Sequence, residues 1–151
     1  MSLENLARTH SIKAEPFDPG EFNGLLRSGR KRLKDAGNTD LSPESRFTLA
    51  YDAAHSFSLA ALRRTGYRPA NVRYIVFQCP PHTLQQGPEV WRVLDDCHRR
   101  RNAAEYEGDW DASETVVNDL LAATGRVLAA LEALPDQGTP PPPSDSPQPA
   151  P

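Results

Sequence analysis

Cysteine is scarce in this chain: Cys79 and Cys97 are the only two among 151 residues. Their spacing fits no zinc ribbon and no redox motif, and two thiols cannot supply the disulfide framework of a small secreted domain. Both read as small core residues. Histidine is thin as well. His10, His55, His82 and His98 are scattered, so no metal-ligand cluster forms in sequence, and neither a metal nor a cofactor is expected. There is no phosphate-cradling glycine loop and no nucleophile elbow. Long apolar runs are also missing, so nothing is long enough to cross a bilayer. The opening Met1-Ser2-Leu3-Glu4 has neither a basic leader nor an apolar segment. A cytoplasmic protein without a membrane partner is the expectation. Bulk charge excludes one more class. With a formal net charge of −3, the chain is not a polyanion binder by overall electrostatics, and any nucleic-acid contact has to be local.

What the chain does carry is helical periodicity. Residues 3–8 suit a short helical turn, and residues 12–20, with Pro16, Pro19 and Gly20, read as a connector. A helix is predicted from near Asp18, with Pro19 at its first position. Phe22, Leu25, Leu26, Gly29 and Leu33 recur on one face, and Gly37-Asn38 ends it. The opposite face, Arg27, Arg30, Lys31, Arg32 and Lys34, reads as solvated. Ser42-Pro43-Glu44 is a helix start: a capping hydroxyl, a proline, then an acid in the first turn. That helix should run to about Thr65, where Gly66 stops it. Its inward stripe is Phe47, Ala50, Tyr51, Ala54, Phe57, Ser58, Ala61 and Leu62, and the alanines permit close helix approach. Residues 66–69 read as a turn.

The run 72–77 favours a strand by composition. No second strand offers itself as a partner, so the run reads as a short helix or an irregular buried segment. His82, in the loop that follows, is given no role. A helix opens at Pro88 and breaks at Gly108, and the next is capped by Ser113. Val116, Val117, Leu120, Leu121, Thr124, Val127, Leu128 and Leu131 stripe that last helix up to about Leu134. From Pro135 onward lie eight of the chain's 15 prolines and almost nothing apolar; such a tail cannot bury enough surface to fold. The expected architecture is an N-terminal segment over 1–17, an all-α up-and-down bundle of four to five helices over 18–134, and a disordered proline-rich tail over 135–151.

One stretch breaks the pattern. On the helix opened by Pro88, the face of His98 carries apolar Trp91 and Leu94 before it. The same face then continues as Arg101, Asn102, Glu105 and Tyr106. Charge placed where packing suits an apolar residue costs free energy unless it is paired. Arg101, Asn102 and Tyr106 therefore mark the expected functional stripe. Arg99 and Arg100 read as surface. Arg101 and Glu105 are spaced as an i,i+4 pair, a contact worth only roughly 0.2–0.5 kcal/mol. Tyr51 and His55, one turn apart on the facing long helix, sit at the core edge with a polar tip each.

Two segments and the helix order carry a family resemblance. One is Tyr51-Asp52-Ala53-Ala54-His55, small and alanine-rich with polar residues in mid-helix. The other is Arg101-Asn102-Ala103-Ala104-Glu105-Tyr106, late in the penultimate long helix. Over residues 22–134 the chain resembles the HEPN domain (higher eukaryotes and prokaryotes nucleotide-binding domain). That family's motif is an arginine, often followed by Asn or Asp, with a histidine after four to six intervening residues. Arg101 and Asn102 match it, and Tyr106 stands where the histidine belongs.

The resemblance implies a four- or five-helix bundle that pairs into a homodimer, with the motifs lining a cleft at the seam. Many members are metal-independent endoribonucleases of toxin–antitoxin or defence systems, often with a nucleotidyltransferase as partner. Others bind nucleotides or serve as non-catalytic interaction modules. For this chain it implies RNA or nucleotide binding, with endoribonuclease activity or, alternatively, a binding role toward a protein such as a nucleotidyltransferase.

Cleaving RNA without a metal needs a base for the 2′-hydroxyl and a cation for the crowded phosphate. Arg101 suits the second task, because its fork of donors matches phosphate oxygens; Asn102 can orient a partner or donate. Tyrosine ordinarily titrates near about 10, far from the ambient pH at which a base works best. His98, one turn before Asn102, and His55, on the facing helix, are the alternative bases. The candidate catalytic residues are thus Arg101, Asn102, Tyr106 and His98, and the cleft-lining ones Tyr51, His55 and Glu105.

Overall fold

The computed structural model describes residues 3–9, 11–70, 76–77, 79, 83–107 and 112–135, with backbone alone for 105–107. Among them the element order is α1 (Leu3–Arg8), β1 (Ile12–Ala14), α2 (Pro19–Ala36), α3 (Pro43–Arg64), β2 (Tyr67–Pro69), α4 (Pro88–Glu107) and α5 (Glu114–Glu132). The long helices start where their caps predict. Asp18 accepts from the Gly20 amide at 2.9 Å, Ser42 from the Ser45 amide at 3.1 Å, and Ser113 from the Val116 amide at 3.1 Å. Each cap satisfies an amide that the first turn leaves without a helical partner.

Helix α3 is the centre of the molecule, packed between α2 and α5 and touching α4 more lightly. All eight residues of its predicted stripe are buried, and so are Ala53, Ala60, Arg46, Ser56 and Arg63. Small side chains explain how a helix can be enclosed on nearly every side. On α2, Gly29 provides the matching gap: a Cβ there would fall 2.9 Å from the Cδ1 and Cζ of Phe57. One polar cost remains, since the Ser58 Oγ is enclosed with no hydrogen-bond partner among the described residues.

Two expectations are corrected. The stretch read as a connector contains β1, and the stretch read as a turn contains β2. They pair antiparallel in the register Ile12↔Pro69, Lys13↔Arg68 and Ala14↔Tyr67. The fold is therefore mostly helical with a small two-stranded sheet, not purely all-α. Two three-residue strands would be marginal alone. Here Ile12 is buried in the core, Gly66 reverses the chain at φ 88° after α3, and Arg63 ties the pieces together. Its Nε donates to Glu21 at 2.6 Å, Nη1 to the carbonyls of Glu15 and Tyr67 at 3.1 Å each, and Nη2 to the Pro16 carbonyl at 2.7 Å.

The second correction concerns α4. Its buried line is Val90, Leu94 and Cys97, not Trp91, Leu94 and His98. Trp91 is half-buried, with the Arg92 guanidinium 5.4 Å from its ring centroid. Because 3.6 residues make a turn, the next position on the buried line is Arg101, and His98 lies on its flank. Most of the run 72–77 lies outside the described residues, as do His82, residues 108–111 and the tail from 136; Val76 and Phe77 are buried. No described helix is long and apolar enough to cross a membrane.

Candidate functional site

The site forms where the middle of α3 meets the second half of α4. Alanines at 50, 53 and 54 on α3 lie in the core, which leaves the larger Tyr51 and Asp52 to reach across to α4. Tyr51 is only 7% exposed. Its ring stacks on Phe47 at 6.1 Å and meets Phe77 edge-on at 5.3 Å. Its hydroxyl lies 2.8 Å from His98 Nδ1. The far nitrogen of that imidazole, Nε2, lies 3.0 Å from the Asn102 amide nitrogen. Tyr51, His98 and Asn102 thus form one hydrogen-bonded chain running from the core to the exposed surface of α4.

Arg101 is held from the same helix. Its Nη1 donates to Asp52 at 3.2 Å, and its Cζ sits 4.4 Å from the centroid of the Tyr51 ring. The two charged side chains are 33% and 36% exposed, so this is a half-solvated ion pair worth at most about 1 kcal/mol. The guanidinium lying over an aromatic face adds a comparable amount. Sequence spacing places Glu105 one turn from Arg101, but the Glu105 side chain lies outside the described residues; the partner among the described residues is Asp52, across the helix interface.

The remaining candidates divide. Tyr51 and His98 come together as a pair, with Asn102 beside them. His55 reaches the cluster through Phe77, at a ring distance of 5.7 Å, and Phe77 also lies 6.2 Å from the His98 ring. The side chains of Glu105 and Tyr106 lie outside the described residues. Arg99 and Arg100 are surface residues, paired one turn back with Asp95 and Asp96. The Asp96 carboxylate raises the Arg100 pKa further, chiefly by a hydrogen bond. Cys97, beside His98 in sequence, points into the core. Burial pushes its thiol up to about 12, so it is no nucleophile at neutral pH.

Two participants were missed in sequence, Asp52 and Phe77. The signal for Asp52 was available: an acid one residue from the α3 stripe needs a cation to sit near the core. Phe77 gave none, because its contact with Tyr51 joins residues far apart in sequence. Among the described residues no group of three or more His, Cys, Asp or Glu side chains is arranged to hold a metal ion. Comparison with family models, with curated proteins and with solved structures finds no match for this chain.

Proposed function

We propose that this chain is a HEPN-like RNA- or nucleotide-binding protein whose α4 site cleaves RNA without a metal ion. The observation that carries the reading is the meeting of Arg101 and His98 at one half-exposed corner, each held by a residue of α3. A fixed cation next to a fixed imidazole is what transesterification at phosphorus requires. The 2′-oxygen attacks phosphorus as its proton passes to His98. The bond from phosphorus to the 5′-oxygen breaks; that oxygen keeps the electron pair and takes a proton from water. The products are a 2′,3′-cyclic phosphate and a 5′-hydroxyl. Arg101 donates to the phosphoryl oxygens as their charge builds. In this reading His98, on the N-terminal side of the arginine, takes the task that the family gives to the position of Tyr106. Two copies pair so that the two corners share one cleft.

The test is RNA cleavage by purified protein in chelator. Wild type is expected to cleave, and Arg101→Ala to lose about 10²-fold or more in rate, with His98→Ala losing at least as much. Equal activity of wild type and Arg101→Ala removes the proposal.

A second reading has an observation of its own. Arg101 already has Asp52 as counter-ion, and Asn102 already occupies His98 Nε2. A satisfied network of this kind suits a non-catalytic homodimeric module that docks a protein such as a nucleotidyltransferase, with the polar corner setting specificity. It is favoured if Arg101→Ala abolishes capture of that partner while wild type shows no cleavage.

A further inference from the structure

We propose that Tyr51 is the positioning residue of this corner: its ring places Arg101, and its hydroxyl, with Asn102 at the far nitrogen, holds the His98 proton on Nδ1. The inference rests on the reading of Arg101 and His98 as the working pair. Tyr51 is well suited to such a role. It has two side-chain torsions, and Phe47 and Phe77 press on its ring within 6.1 Å and 5.3 Å, so its hydroxyl sits at a fixed point in a packed wall.

The proton assignment follows from donor and acceptor types. The Asn102 amide nitrogen can only donate, and it lies 3.0 Å from His98 Nε2. With the amide in this orientation Nε2 accepts, which puts the neutral imidazole's proton on Nδ1. Nδ1–H donates to the Tyr51 oxygen across 2.8 Å. The lone pair is left on the nitrogen beside exposed Asn102, on the side a substrate hydroxyl can approach. Asn102 is a surface side chain that can turn aside when that hydroxyl arrives. The other half of the role is steric and electrostatic. The Tyr51 ring lies under the Arg101 guanidinium at 4.4 Å while Asp52 holds one of its nitrogens, so the fork has a floor and a tether. One residue of α3 therefore sets the geometry of two residues of α4 that are three positions apart.

The two halves separate by substitution. Tyr51→Phe keeps the ring and removes the hydroxyl; Tyr51→Leu removes both. The primary readout is the long-range ¹H–¹⁵N spectrum of His98 in the full chain, which reports the tautomer without reference to activity. Wild type is expected to show a protonated Nδ1 and an unprotonated Nε2. Tyr51→Phe leaves Nδ1–H without its acceptor; it is expected to mix in the Nε2-protonated tautomer in a chain that still folds, and to lower kcat by about tenfold with KM for RNA within about twofold. Tyr51→Leu is expected to weaken RNA binding by about fivefold as well, as Arg101 loses its floor. If Tyr51→Leu does not fold, Tyr51→Phe decides alone.

Wild type with its proton on Nε2, or a His98 spectrum unchanged in Tyr51→Phe, overturns the inference. The expected tautomer and its mixing with the other in Tyr51→Phe, in a protein that neither binds nor cleaves RNA, supports the Tyr51–His98 coupling and removes the ribonuclease reading instead.

Discussion

Arg63 shows how far a single side chain can depart from what its position suggests. It lies in the last turn of α3 next to Arg64, where basic residues usually complement the helix dipole from the surface. Arg64 does stay partly exposed and donates to the Pro135 carbonyl at 2.6 Å. Arg63 turns inward to 3% exposure and satisfies three backbone carbonyls as well as Glu21. Only a planar fork with several donors fits that set. Arg63→Met is expected to cost about 3 kcal/mol in urea unfolding, because the carbonyls lose their donor and stay enclosed. Arg63→Lys is expected to recover little of it, since one ammonium cannot span four acceptors; a wild-type midpoint for Arg63→Lys would refute this account. Sequence offered no way to tell the two arginines apart, since both are basic and adjacent. Arg101, by contrast, was legible as a charge on an apolar stripe, and Tyr51 as a core-edge residue with a polar tip.

At the scale of elements, caps and periodicity located α2, α3, α4 and α5 to within a residue or two, because these signals are local and each long helix has its own. The small sheet was not legible. Ile12–Ala14 and Tyr67–Pro69 are each too short to alternate convincingly, and their pairing spans the whole of α2 and α3. The face of α4 was read about one position off, since Trp91 competed with Val90 as the apolar marker. Close approach of α2 to α3 depends on Gly29, and it yields a prediction of unusual sign. In an exposed helix, Gly→Ala stabilises by about 1 kcal/mol. At position 29 the added methyl meets the fully buried Phe57 ring, and overpacking of this kind costs about 1–3 kcal/mol. Gly29→Ala is therefore expected to lower the melting temperature, with Phe57→Leu in the same chain restoring part of the loss. A melting temperature at or above wild type for Gly29→Ala alone would show that the two helices have slack between them.

For the molecule as a whole, the two thiols couple stability to alkaline pH. Burial pushes Cys79 and Cys97 each up to about 12, against about 8.5 for an exposed thiol. The folded state thus holds these protons more tightly than the unfolded chain. Below about pH 8.5 both states are protonated and the contribution is complete; as pH rises from there toward about 12, the unfolded chain releases protons first and stability declines. Melting temperature is expected to fall across that range in wild type and to fall less steeply in a Cys79→Ala, Cys97→Ala chain; parallel curves would show that the thiols are not linked to folding. The sequence by itself determined the long helices, the caps of α2, α3 and α5 and the core stripe of α3, because each depends on residues within a few positions of one another. The tertiary structure alone decided that Arg101 pairs with Asp52, that Tyr51 meets His98, and that two distant tripeptides form a sheet. Those contacts join residues about fifty positions apart, and which partner wins there depends on how α3 packs in the centre, not on any local preference.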